Sequence, residues 1–175
     1  MLQRIQRLLR HRWHDSSTLR RALPPEALAR LTQRVRASEQ RHSGEIRIFI
    51  EAGLPTSYLW RRDTLPQIIR QRALTLFGKL RVWDTEHNNG VLIYLLLAER
   101  AIEIVADRGI DRRLARQDWQ AMIARMRTAF RAGRFEDGLL LSLDEISAAL
   151  AQHFPLAAGK ANPNELPDVP VIGQS

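Results

Sequence analysis

The amino-acid sequence predicts an α/β fold, a three-layer α/β/α sandwich on a small mixed sheet with a central β-hairpin. The first observation is a β–α–β order, in which the alternating strand 45–51 is followed by an amphipathic helix and the apolar run 91–97. The second is the alternating segment 101–106, which follows that run after three residues and should form an antiparallel hairpin with it. The third is a pair of later amphipathic helices, at 115–132 and 137–151.

The first 23 residues are predicted to be a basic N-terminal extension that begins with a short amphipathic helix. Its apolar residues recur at intervals of three and four positions, with arginines between them: Leu2, Ile5, Leu9 and Trp13. Such a helix can dock on its own domain, or it can lie on an anionic lipid surface. Residues 1–41 hold ten arginines against three acidic residues, a net charge of +7 out of +8 for the whole chain.

This charge at one end predicts a polyanionic or acidic partner for the N-terminal arm. We expect a membrane protein or an anionic membrane surface. Nucleic acid ranks last, because proteins that stack bases interleave aromatic residues with their basic ones, and here only Trp13 accompanies the arginines. The sequence leaves the oligomeric state open.

Residues 24–154 are predicted to form one α/β domain. A proline pair followed by Glu26 is a helix-start signal, and the helix that it opens precedes strand 45–51. The next helix, at 66–79, has a broad apolar face. Because β–α–β crossovers are right-handed, the strands at 45–51 and 91–97 should be parallel neighbours with this helix on one face.

Residues 155–175 form a proline-rich tail that we expect to be extended or disordered, because four prolines among polar residues do not sustain periodic structure. No run of about 18 apolar residues occurs, and arginines interrupt the apolar positions of the first twelve residues, so neither a membrane span nor a cleavable signal is predicted. The sequence has no cysteine, which excludes thiolate chemistry. These features predict a cytoplasmic protein, with peripheral attachment to the inner membrane as the alternative.

Oxygen-bearing side chains flank the hairpin at one edge of the predicted sheet. Asp84 and Asn89 precede strand 91–97, while Asp107 and Asp111 follow its antiparallel partner. Carboxylate and carbonyl oxygens suit a hard cation such as Ca²⁺ or Mg²⁺. The same residue types also cap helices and form turns at strand ends, so a purely structural role is the competing interpretation.

Known catalytic motifs are absent from the sequence, including phosphate-binding glycine loops, paired histidines at metal spacing and a serine elbow. The five histidines are scattered along the chain. The residues alone therefore name no reaction.

Several motifs between residues 26 and 151 resemble the TPM-domain family, in its soluble bacterial branch. They are Asn89-Gly90-Val91-Leu92, Glu99-Arg100, Gly109, Phe130-Arg131-Ala132-Gly133 and Gly138. The resemblance implies an α/β/α sandwich, and it implies acid phosphatase activity and divalent-cation binding, which have been ascribed to some members. Members commonly carry a signal peptide and a membrane anchor, which we do not expect here. Asp107 stands where many have glycine, and Glu99 where aspartate is usual.

Two functional hypotheses follow, and the sequence does not decide whether the protein is an enzyme. The first is a non-enzymatic accessory domain that binds a membrane-protein partner, which is favoured because no activated nucleophile stands out. The alternative is a weak cation-dependent acid phosphatase in which Asp84, Asn89, Asp107 and Asp111 hold the cation. In that case Arg108 would contact phosphate oxygens through its planar guanidinium group.

Overall fold

The computed structural model describes residue His11 and residues 16–173. Four strands form the sheet, and they are β1 (Ile46–Glu51), β2 (Val91–Leu96), β3 (Ala101–Ala106) and β4 (Val171–Gly173). The helices are α1 (Ser16–Ala22), α2 (Pro25–Glu39), α3 (Thr56–Leu59), α4 (Leu65–Lys79), α5 (Arg108–Asp111), α6 (Arg116–Arg131) and α7 (Phe135–His153). The helices predicted at 66–79, 115–132 and 137–151 are thus confirmed to within two residues at each end.

The sheet is mixed and has the strand order β3-β2-β1-β4. Strands β1 and β2 are parallel, with Ile46 opposite Val91, whereas β2 and β3 are antiparallel, with Val91 opposite Ala106. Both pairings agree with the prediction from the β–α–β order and the short hairpin. The hairpin is central only through β2, because β3 lies at one edge of the sheet.

One face of the sheet is covered by α1, α2, α6 and α7. The alternate residues Ile46, Ile48 and Ile50 of β1 point to this face, where they pack with Met126 and Phe130 of α6. These side chains are at most 1% exposed. Burying a large apolar side chain stabilises the fold by about 1.5–3 kcal/mol, so this layer is a main source of stability.

The opposite face is covered by α3 and α4, which complete the three-layer sandwich. Phe49 of β1 and Tyr94 of β2 pack there against Ile68 and Ala73 of α4. Because both faces are covered, every residue of β1 and β2 is buried. This explains why β2 reads as a continuous apolar run rather than as an alternation.

Two segments outside the predicted core domain pack on it. Leu19 and Leu23, from the predicted N-terminal extension, are buried in the core beside α2. The tail adds β4 as a parallel strand along β1, which the sequence analysis did not predict, and buries Leu166 on the α4 face. The predicted apolar stripe of Leu2, Ile5, Leu9 and Trp13 lies outside the described residues.

His11 fastens the start of the chain to the loops that follow β1 and β2. His11 is 3% exposed, and its Nδ1 accepts a hydrogen bond of 3.0 Å from the backbone N–H of Leu54. Its Nε2 lies 3.0 Å from the Glu99 carboxylate. Within the part of the chain that the structure describes, no helix is long and apolar enough to cross a membrane.

Candidate functional site

The loops before β2 and after β3 meet at one edge of the sheet, as the hairpin topology predicts. The N–H of Asp107 donates to the carbonyl of Gly90 at 2.9 Å, and the N–H of Gly109 donates to the carbonyl of Asn88 at 2.8 Å. A Cβ atom at Gly109 would lie 2.4 Å from that carbonyl oxygen, and one at Gly90 would lie 2.0 Å from the carbonyl oxygen of Val82. Glycine is therefore required at Gly109 for the close approach of the two loops, and at Gly90 for the close approach of two parts of the loop before β2.

Two of the predicted ligands present oxygen atoms that have no hydrogen-bond partner within residues 16–173. Asn89 is fully buried, its N–H donates to Thr85 Oγ1 at 3.1 Å, and its Nδ2 donates to Ser43 Oγ at 3.3 Å, but its Oδ1 is unpaired. Asp107 is 8% exposed and caps α5 by accepting at Oδ1 from the N–H of Arg108, at 2.7 Å. Its Oδ2 is buried and unpaired. Unpaired buried oxygens are costly and call for an explanation.

The other predicted site residues have different surroundings. Asp84 is exposed and forms an ion pair of 2.5 Å with Arg81. Asp111 is exposed on α5, while Arg108 is exposed and its Nε donates to Asn88 Oδ1 at 3.1 Å. In the described ranges no three His, Cys, Asp or Glu side chains gather as a possible metal site. The three predicted aspartates therefore do not form one cage, and Asn89 and Asp107 are the two predicted ligands whose oxygen atoms lack a partner among the described residues.

A cavity of about 430 Å³ opens beside this edge, between the loop before β2 and the start of the tail. Ser43, which accepts from Asn89, lies in its wall together with Glu86, His87 and Lys160. The sequence analysis missed Ser43 and Lys160, because the tail that forms the second wall was expected to be extended or disordered.

The comparisons with known proteins agree with this architecture. The TPM domain family matches residues 18–149. The chain belongs to the TPM domain family. The NMR structure of the BA42 protein from the psychrophilic bacterium Bizionia argentinensis is similar, with 27% sequence identity and a TM-score of 0.73 over 86% of this chain and 95% of that chain. A search of curated proteins found no match.

This TPM domain also has a buried polar cluster beneath its tail, which no sequence pattern indicated. Glu39 at the end of α2, Glu45 before β1, Arg47 of β1 and Asp168 of the tail are each at most 7% exposed. Burial, and then the nearby carboxylates of Glu45 and Asp168, raise the pKa of Glu39 to about 8. Burial likewise raises the pKa of Glu45 and lowers that of Arg47.

A second cavity, of about 580 Å³, lies next to this cluster. Glu39 and Asp168 contribute to its wall, along with Arg36, Lys160 and Asn162. The tail therefore forms part of the wall of both cavities, the one beside Asn89 and the one beside the buried polar cluster.

A histidine and a serine contact each other in the core, where they hold two elements of the fold together. His42 and Ser147 are both fully buried, and His42 Nε2 lies 3.2 Å from Ser147 Oγ. His42 Nδ1 donates to the carbonyl of Gly44 at 3.1 Å, so Nε2 is the acceptor from the serine hydroxyl. Arg41 donates to Ser147 Oγ at 2.7 Å. This pair connects the loop before β1 to α7 and has no exposed surface for a substrate.

A carboxylate on the α4 face is also fully satisfied. Glu51 at the end of β1 accepts from both Arg72 Nη2, at 2.6 Å, and Tyr94 Oη, at 2.7 Å. Arg72 lies over the ring of Tyr58 at 5.2 Å. This network joins α3 and α4 to the two central strands.

Proposed function

We propose that this TPM domain is an accessory interaction domain that docks at an anionic membrane surface or on a membrane-protein partner there. The observation that carries the proposal is the exposure of two tryptophans on one layer of the sandwich. Trp60, after α3, is 64% exposed, and Trp83, after α4, is 50% exposed. Leu74 of α4 is 47% exposed, on the side of the helix away from the buried Ile68 and Ala73. Tryptophan is enriched in protein interfaces and at membrane–water boundaries.

The charge of the same segment supports an anionic contact. Between the two tryptophans the chain carries the exposed cations Arg62, Arg70, Lys79 and Arg81. Arg70 lies 3.6 Å from Glu103 and Arg81 pairs with Asp84, so part of this charge is compensated. Each basic residue near an anionic membrane contributes on the order of 1 kcal/mol to the binding free energy. Several such residues, together with the two exposed tryptophans, are enough for reversible attachment.

Co-sedimentation of the full chain with vesicles tests this proposal. Phosphatidylcholine vesicles with and without phosphatidylglycerol are compared for the wild type and a Trp60→Ser/Trp83→Ser double variant. Leu141→Ser is the matched control, because Leu141 is 37% exposed on α7, in the opposite layer. We expect the wild type to bind the anionic vesicles and to bind them less as the salt concentration rises. Binding should persist in the control and weaken in the double variant.

The predicted role of the N-terminal arm is tested in the same assay. Changing Arg4, Arg7 and Arg10 to glutamine removes charge that precedes the described domain and should weaken binding independently of the tryptophans. If neither set of changes alters sedimentation, or if the wild type ignores anionic vesicles, the membrane surface is not the ligand. Binding to a membrane protein would then be the version of the proposal left to test.

The alternative function is a weak divalent-cation-dependent acid phosphatase. It is favoured by the unpaired buried oxygens of Asn89 and Asp107, which are the donor atoms that Ca²⁺ or Mg²⁺ prefers. A cation held there would polarise a phosphoryl oxygen. Arg108, exposed at the start of α5, would contribute guanidinium donors to the phosphate.

A Ca²⁺ titration followed by NMR tests the alternative. Signals of the Asn89 side-chain amide should shift with Ca²⁺ in the wild type, and the shift should disappear in Asp107→Asn. Asp84→Asn is the control, because that carboxylate is exposed and paired with Arg81. Hydrolysis of an aryl phosphate only in the presence of the cation would support phosphatase activity. A titration that leaves the Asn89 signals unchanged would remove this hypothesis.

A further inference from the structure

The C-terminal segment 164–173 is held on the domain by polar contacts at several points. The N–H of Leu166 donates to Glu45 Oε2 at 3.1 Å. Arg47 Nη1 donates to the carbonyls of Pro167 and Val169, the latter at 3.1 Å. After these contacts the chain enters β4, which pairs with the outer edge of β1.

The anchoring point of this segment is Asp168, which faces both a cation and a second carboxyl group. Arg36 Nε donates to Asp168 Oδ2 at 2.9 Å, and the Asp168 side chain is only 5% exposed. The buried carboxyl group of Glu39 lines the same cavity as Asp168, and the charge of Asp168 acts on it. Carboxyl groups buried close together cannot all be charged without a large electrostatic cost, so one of them is favoured to hold a proton. Glu39 is the group that holds it, since Asp168 is paired with Arg36.

The charges around Glu39 come from three elements. Its own helix supplies Arg36. The strand region supplies Glu45 and Arg47, and the tail supplies Asp168 and Lys160, which lines the adjoining cavity. Glu39 Oε1 also accepts from the N–H of Ile46, at 3.3 Å.

We propose that residues 164–173 are a proton-controlled strap, which the proton of Glu39, buried beside Asp168 and Glu45, holds closed over the outer edge of β1. Loss of this proton leaves two carboxylates facing each other, with Glu45 close by, and the electrostatic repulsion between them drives the tail away. Opening frees the backbone groups of β1 from Phe49 to Glu51, which β4 pairs with in the closed state. An unpaired strand edge of this kind is a surface on which another extended segment can pair.

The direction of the pH dependence follows from the protonation of Glu39. Its pKa is about 8 in the closed state and is close to 4.5 when the carboxyl group is in water. The closed state therefore binds more protons than the open state between these two values. The stabilisation of the strap is complete below pH 4.5, declines as the pH rises through this range, and is lost above pH 8.

Native-state hydrogen exchange of the full chain tests the proposal. The amides of Leu166 and Ile172 report on the strap, and the amide of Leu95, in the fully buried strand β2, reports on the rest of the domain. After division by the intrinsic exchange rate at each pH, the opening constant of the strap should rise between pH 5 and 8 by up to roughly tenfold per pH unit. It should then level off, while Leu95 shows no such rise.

Glu39→Gln is the decisive variant, because its amide cannot become charged and can still accept from the N–H of Ile46. It should lower the slope of the opening constant over pH 6–8, leaving at most the part that arises from Glu45. Glu26→Gln, an exposed change on the same helix, should behave as the wild type. Equal slopes in Glu39→Gln and the wild type, or a flat profile in the wild type, would overturn the proposal.

Asp168→Asn provides an independent test if Glu39→Gln does not fold. It removes the carboxylate that raises the pKa of Glu39, so the opening constant should level off at a lower pH than in the wild type. A plateau that begins at the same pH in both proteins contradicts the proposed effect of the Asp168 charge on Glu39.

Discussion

Acidification should destabilise this protein through His42. The ring is fully buried, donates from Nδ1 to the carbonyl of Gly44 and accepts at Nε2 from Ser147. A second proton at Nε2 would break the bond to the serine hydroxyl, and it would place a charge in the core near Arg41, which also contacts Ser147. Burial is the main reason why the pKa of His42 is lowered to about 4.

The size of the effect follows from the difference between the folded and unfolded pKa values. The unfolded chain has a pKa of 6.5 at this residue, so between pH 6.5 and 4 it binds a proton that the folded state does not. The contribution is fully present above pH 6.5 and is lost as the pH falls through this range. At 1.36 kcal/mol for each pKa unit, His42 removes about 3 kcal/mol from the free energy of unfolding by pH 4.

Urea denaturation monitored by circular dichroism between pH 4 and 7.5 measures this loss. His42→Gln, whose amide can donate to Gly44 and accept from Ser147, should be less sensitive to pH than the wild type by about 3 kcal/mol. Comparing the two proteins removes the opposite contribution of Glu39, which both share. His87→Gln, a change at an exposed histidine, should leave the pH profile unaltered. Parallel profiles for the wild type and His42→Gln would refute the argument.

Four further substitutions test the backbone, a buried hydrogen bond and the core, and urea denaturation checks each of them. Gly78→Ala, in an exposed part of α4 where no atom outside the neighbouring backbone of the helix lies within 4 Å of the new Cβ, should stabilise the protein by about 0.5–1 kcal/mol. Gly90→Ala should destabilise it by about 1–3 kcal/mol or more, because its Cβ meets the carbonyl of Val82. Tyr94→Phe removes the hydrogen bond to the Glu51 carboxylate and should cost about 1.5–3 kcal/mol; a change below 0.5 kcal/mol would contradict that bond. Leu95→Asp places an unpaired charge in the core of β2, and it should prevent soluble folding, which a cooperative transition like that of the wild type would disprove.

The candidate site was only partly predictable from the sequence. The antiparallel hairpin correctly places Asn89 and Asp107 at one edge of the sheet, because the start of one strand and the end of its partner must meet there. The same reasoning grouped Asp84 and Asp111 with them, but strand order says nothing about side-chain direction. Asp84 turns to Arg81, three residues away, and Asp111 is exposed on α5.

The polar cluster under the tail was not predictable, since its members are far apart in the chain and follow no spacing. Glu39 ends a helix, Glu45 precedes a strand, and Asp168 lies among prolines. Taken singly, each is an acidic residue of the kind expected on the surface. They meet because the tail crosses from α7 to the outer edge of β1.

The sequence by itself determined the sandwich, because hydrophobic periodicity is a local property that specifies which face of each element is buried. The strict alternation of β1, the apolar run of β2 and the helical stripes therefore predicted the layers, the parallel pairing and the hairpin. Tertiary structure alone decided the position of β4, the docking of Leu19 and Leu23, and the surroundings of each polar side chain. These features depend on contacts between residues that are distant in the sequence. A carboxyl group is stable in the interior only where the fold provides a hydrogen-bond donor for it or where it holds a proton.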